Sequence, residues 1–306
     1  WKRRAVDERP ELPPYRYGLP LPLEMAPKDF QDEREWLATG GLLDPRFEGS
    51  RRAAFPVIVG VDSYETIRGF LLAGLLPPAN QVRVDPLINA FRYDYLEPED
   101  GQTFAVDTEV ADCPWDPQKQ LLQVGVRAAE GQGEEPVADN VRMAVEFNPA
   151  TVAAYRLIGH TEEEASLAEP KSADVPSGHT VTALYEVVPR AQSPDDPPPS
   201  SESEELGTVR VDFNKTGGAA DQSVEATVAE VQDGGNWRQA SDDLRFAASV
   251  AGYGLLLGGD EGGRPATYAL VLELARDAVG EDPDGRREEF VEWVEKTIEL
   301  SIEEEE

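Results

Sequence analysis

The chain has 306 residues, with 28 basic side chains against 60 acidic ones, a formal net charge of −32 and a pI near 4.3. Hydrophobic residues at 40% and charged residues at 29% are ordinary for a globular protein long enough to bury a sizeable core and to divide into two modules. A surface this negative repels phosphate backbones and anionic headgroups, so nucleic acid and peripheral membrane binding are poor fits.

The first stretch, residues 1–50, carries many prolines, which forbid regular ladders, and reads as an extended N-terminal segment with one short helical prospect at 28–38. Trp1 precedes the basic cluster Lys2-Arg3-Arg4, the composition that flanks a membrane segment, so an anchor or signal segment upstream is one expectation. Arg far outnumbers Lys, and a Lys-poor acidic surface suits an exported protein or a halophile. No apolar run approaches the roughly 20 residues that span a bilayer. Together these point to a location outside the cytoplasm, periplasmic or membrane-anchored.

Residues 51–98 predict an N-terminal helical part. A short strand over 55–61 leads to a helix capped by Asp62 or Ser63, with Ile67, Phe70, Leu71 and Gly74 on one face. After Pro77-Pro78, Asp85 is the expected N-cap of a second helix with Pro86 at its first position and Leu87, Ile88 and Phe91 as its buried stripe, closed by Pro98.

Residues 99–235 predict a β-sandwich. Residues 104–110, 121–127, 141–147, 152–158, 180–188, 208–213 and 224–231 alternate or are rich in β-branched and aromatic residues. The linker 128–140 and the loop 191–206 are polar, acidic and low in complexity. Residues 236–306 predict a C-terminal helical part. Ser241 caps a first helix, with Asp242 and Asp243 at its positive end, and helices over 268–279 and 286–300 follow. Neither helical part buries its stripe alone, so the two are expected to pack together. The fold class is α+β: an antiparallel β-sandwich with a helical module built from both ends of the chain.

Candidate chemistry is sparse. His160 and His179 are the two histidines, each beside a turn glycine, with no Cys or carboxylate pair at ligand spacing. Cys113 stands alone, so no intrachain disulfide forms, and no basic neighbour in sequence lowers its pKa. Residues 281–285 (EDPDG) resemble a calcium loop, but the last ligand position falls near Val291, which cannot coordinate, so they read as a turn that caps the final helix. Gly252, Gly254, Gly258 and Gly259 lie inside or after a helix, which suits close packing rather than a phosphate cradle. No catalytic, cofactor-binding or metal residue is assigned, and no cofactor is expected.

Six blocks then carry a resemblance: DSYETIRGFLLAGLLPPANQVRVDPLINAFRYDY, FAVDTEVADCPWDPQKQLLQVGV, VEFNPATVAAYRLIGH, SGHTVTALYEVVP, DLRFAASVAGYGLLL and YALVLELARDAVGEDPDGRREEFVEWVEKT. In this order they are similar to the YfbK-like bacterial von Willebrand factor A domain proteins. Members of that family carry a whole A domain, with an Asp-x-Ser-x-Ser metal site, between the counterparts of Val126 and Val141. Here the linker 128–140 occupies that place, and no Asp-x-Ser-x-Ser occurs in the sequence. The resemblance therefore implies the host regions that flank the A domain, without its metal chemistry. The function expected is a non-catalytic extracytoplasmic interaction or scaffold protein with an unidentified protein partner. The alternative is a hydrolase or metal-dependent enzyme with an unrecognised site.

Overall fold

The computed structural model describes residues 42–46, 50–57, 62–131, 135–160, 172–190, 205–216, 222–229, 235–259 and 266–305. The helix expected at 28–38 lies outside them, as do residues 230–234 and most of the acidic loop 191–206. The strand expected at 55–61 instead runs over Arg52–Phe55 and ends before Pro56, which has no amide to give a ladder, and residues 58–61 lie outside the described residues. Alternating apolar residues build two antiparallel sheets. The outer sheet has the order β1-β4-β8-β9, from Arg52–Phe55, Ala138–Phe147, Glu205–Lys215 and Gln222–Ala229, with β6 (Ala173–Val175) also on β4. The middle sheet has the order β2-β3-β7-β5, from Phe104–Asp112, Gln120–Ala128, Thr180–Pro189 and Val152–Leu157.

Between the sheets lies one apolar core that includes Phe104, Leu122, Val124, Val126, Val145, Phe147, Tyr155, Tyr185, Val209 and Val211. The other face of the middle sheet is not open to water. Leu121 and Leu184 point there into a second core, shared with five helices: α1 (Asp62–Leu72), α2 (Val84–Ile88), α3 (Asp242–Gly258), α4 (Tyr268–Asp277) and α5 (Arg286–Glu305). The architecture is three layers, helices on sheet on sheet, in the α+β class that the sequence indicates.

Local chemistry explains the helix ends. Ser241 is the N-cap of α3, its hydroxyl accepting from the Leu244 amide at 3.0 Å. Gly259 closes α3 in the left-handed conformation at φ 68°. Asp282 accepts from the Glu288 amide at 2.9 Å, so residues 281–285 form a turn that enters α5.

α2 departs from expectation. Its N-cap is Arg83, not Asp85, and it stops at Ile88 rather than running toward Pro98. Ser63 explains the start: its hydroxyl accepts from the Arg83 amide and donates to the Arg83 carbonyl, so the chain is clamped before Asp85 is reached. Pro86 then lies inside the first turn, where an amide has no helical partner to lose. The helix stops because the next residues have better partners on the middle sheet. Asn89 donates to the Thr182 carbonyl and accepts from the Thr182 amide, both at 2.8 Å, as a neighbouring strand would.

Candidate functional site

Two places concentrate polar groups. The first is the seam between the middle sheet and the helices. Beyond Asn89 the chain crosses that sheet with Tyr93 and Tyr95 buried and stacked on each other at 5.8 Å. The Tyr95 ring lies over Gly125 of β3, where a Cβ would fall 2.2 Å from the ring edge. Its hydroxyl pairs with Thr182 Oγ1 at 2.8 Å and accepts from Gln123 Nε2 at 2.9 Å.

Further along the seam, Glu186 is fully buried on β7. It accepts from Trp115 Nε1 at 2.8 Å, Lys119 Nζ at 2.7 Å, and Arg156 Nε and Nη2 at 2.9 and 3.2 Å. Burial alone would push its carboxyl up, but the Arg156 and Lys119 charges outweigh this and hold it down at about 2. Four donors on one carboxylate leave little to offer a substrate. This is a structural lock joining the corner at 113–119, β5 and β7.

Cys113 lies beside it, buried, its thiol pushed up to about 12 by burial and then by the Glu186 charge. That is an unreactive thiol. Gly252 and Gly254 let α3 approach its neighbours: a Cβ on the first would meet Ala266 at 3.1 Å, and on the second Val84 at 3.1 Å. His160 follows the turn at Gly159, and the His179 carbonyl accepts from the Ala128 amide at 2.9 Å. Among the described residues no three His, Cys, Asp or Glu side chains gather as a metal would require.

The second place is the end of the sandwich from which the 128–140 linker departs. The linker joins β3 of the middle sheet to β4 of the outer one, and its two sides meet. A Cβ on Gly131 would lie 2.9 Å from Val137 Cγ1. Both sides are tied to residues 175–178: the Gly131 amide donates to Ser177 Oγ at 2.7 Å, and the Val137 amide to the Val175 carbonyl at 2.9 Å. Beside it is a shallow cleft of about 250 Å³ lined by Glu97, Glu99, Asp100, Arg127 and Glu130 among others. Arg127 pairs with Glu97 at 2.8 Å, and the remaining rim is anionic. Just beyond, β4 bulges between Asp139 and Arg142, with Asn140 in the left-handed region at φ 54°.

These positions coincide with a boundary in the chain's relationships. Residues 135–300 match the family described as Uncharacterized protein YfbK, C-terminal, which covers more than half of the sequence. The chain belongs to this YfbK C-terminal family. Residues 46–123 match a second family, described as von Willebrand factor, so the two matches flank the linker side of β3. As a YfbK relative the chain is also 30% identical, over 174 residues, to Uncharacterized protein YfbK of Escherichia coli (strain K12). That stretch is 52% of this chain and 29% of the relative, so the chain spans well under a third of that protein. No solved structure matches the chain. Within the YfbK-like architecture, residues 46–123 supply β1, α1, α2, β2 and the first four residues of β3, and residues 135–300 supply β4 to β9, α3, α4 and most of α5. Each sheet and the helical layer therefore draw on both matched regions. Among the described residues no helix is long and apolar enough to cross a membrane.

The sequence singled out His160, His179 and Cys113, whereas the buried polar networks centre on Glu186 and Tyr95. Glu186, Lys119, Arg156 and Tyr95 carry no motif. For Glu186 on β7 and Arg156 on β5 the signal is a polar residue on a strand whose other face is strongly apolar, which in sequence reads as a solvent-facing position, while Lys119 and Tyr95 lie outside the strands.

Proposed function

We propose that this chain is a non-catalytic extracytoplasmic interaction or scaffold protein. In this reading it is a stiff host that holds the two sides of the linker together and presents that end of the sandwich to a protein partner. The observation that carries the reading is the meeting of Gly131 and Val137, with both sides tied to residues 175–178. A closed, anchored loop on a locked sandwich accepts an attachment without strain in the host, because loop entropy grows slowly with length. The Glu186 lock and the Tyr95 network stiffen the layer beneath it. The acidic, Lys-poor surface supports the extracytoplasmic part of the proposal and disfavours anionic partners.

Affinity capture with the full chain as bait, on a membrane and periplasmic extract of the source organism, tests this. A stoichiometric protein partner is expected, lost when Glu97 and Glu130 at the exposed rim are both replaced by Arg. Recovery of no such partner, together with saturable turnover of ester, peptide or phosphate substrates by the purified chain, would replace the proposal with an enzyme.

A further inference from the structure

One side of the sandwich is closed by a single stretch of chain that touches both sheets. Leu43 makes an antiparallel bridge to Tyr155 at the free edge of β5, donating to its carbonyl at 2.7 Å and accepting from its amide at 2.9 Å. A few residues later the Ser50 carbonyl accepts from the Tyr155 hydroxyl, and the Arg51 carbonyl accepts from the Phe147 amide at 3.0 Å. Then β1 pairs along β4 from Arg52 opposite Glu146 to Phe55 opposite Met143. Residues 42–46 and 50–57 thus form a strap, joined to β5 of the middle sheet by its first part and to β4 of the outer sheet by its second.

The strap is short, and its grip is local. Leu43, Ala53 and Phe55 are its buried side chains in the core between the sheets, with Phe55 edge-on to Tyr185 at 6.4 Å. Its flanking ion pairs, Arg51 with Glu146 and Arg52 with Asp212, are solvent-exposed and contribute little. Lifting it would uncover two adjacent sheet edges, with the amides of Phe147 and Tyr155 and the holes left by Leu43 and Phe55 between them. Two open edges beside apolar holes are a template for an extended strand.

We propose that the strap is detachable, and that the slot beneath it accepts the same segment from a second copy of this chain. The occupant is set by what already fits: register, apolar spacing and backbone partners are met by residues 42–46 and 50–57, which every copy carries. Charge agrees. Residues 42–57 hold Arg46, Arg51 and Arg52 against Asp44 and Glu48, three cations less two anions or +1, in a chain of −32. The strap is drawn to an acidic body even where whole copies repel, and added salt screens that repulsion. This inference stands apart from the scaffold proposal and uses none of the linker residues.

A fluorescein-labelled peptide of residues 42–57 is the probe, with fluorescence anisotropy as the readout. Saturable binding is expected to the full-length Leu43→Ala/Phe55→Ala chain, whose own strap is weakened. Binding to the unaltered chain is expected to be at least about tenfold weaker, because its slot is occupied most of the time. A folded double variant that does not bind the peptide, or binds a scrambled one equally, overturns the proposal. Should that variant fail to fold, native-state hydrogen exchange on the unaltered chain decides. The amides of Phe147 and Tyr155 must exchange through an opening well below global unfolding. Exchange of both only with global unfolding sinks the idea.

Discussion

Glu186 stands on the strand face where alternation places a residue in water, yet it is wholly buried under Trp115, Lys119 and Arg156. Glu186→Gln keeps the shape but removes the buried charge that Arg156 and Lys119 share, leaving Lys119 with the longer Asp116 pair at 3.5 Å, so it should cost about 3 kcal/mol in urea unfolding at pH 7. The pH dependence has a definite sign. A carboxyl whose folded pKa is about 2, against 4.5 for an unperturbed one, contributes stability above pH 4.5 and loses it as pH falls toward 2. The difference between parent and variant should shrink across that window, and a gap that stays constant to pH 2 would show that Glu186 is not the titrating group. Gly125 makes a second test. Its missing side chain is space that the Tyr95 ring occupies. Gly125→Ala should cost about 1–3 kcal/mol by overpacking. The penalty should mostly vanish in a Tyr95→Ala background, by a double-mutant cycle.

At the scale of elements, α5 is tied to the N-terminal helical stretch by charge as well as by packing. Arg287 donates to the carbonyls of Ala278 and Arg92 at 3.2 and 2.6 Å, pairs with Asp243, and lies over the Phe246 ring at 4.6 Å. Glu289 accepts from Tyr64 and from Arg68, and Arg286 donates to the Ala90 carbonyl at 2.6 Å. Arg287→Met should destabilise by ~3 kcal/mol or more, and Arg287→Lys should rescue little, because a point charge cannot reach carbonyls and carboxylate together. Thermal melts of the two variants check this; full rescue by Lys would mean that charge alone matters there. α2 shows where pattern reading stops. Leu87, Ile88 and Phe91 are buried as their spacing suggests. The helix ends at Ile88 because Asn89 finds the backbone of Thr182, 93 residues away. No local signal announces a partner that distant.

For the whole molecule, the host must tolerate an attachment at the closed linker. A small folded domain inserted between Gly131 and Glu135 should leave the melting temperature within a few degrees of the parent, since each doubling of loop length costs only about 0.6 kcal/mol. Loss of cooperative melting would show that the linker is part of the fold rather than a seal on it. The sequence by itself determined the class and most of the strands, though not β6 or the place of β1. Period-two patterns at 141–147 and 180–188, the Ser241 cap and the Gly259 stop each rest on a few adjacent residues, and local sterics and hydrogen bonds decide such features. Acid excess likewise fixed the sign of the surface field. Only the tertiary structure decided that the middle sheet is covered on both faces. A strand with Leu121, Gln123, Gly125 and Arg127 on one side reads as half-solvated. Whether those positions meet water or the Tyr95 network depends on a helical layer assembled from the two ends of the chain. Burial and long-range hydrogen bonds are properties of that assembly, so no window of sequence contains them.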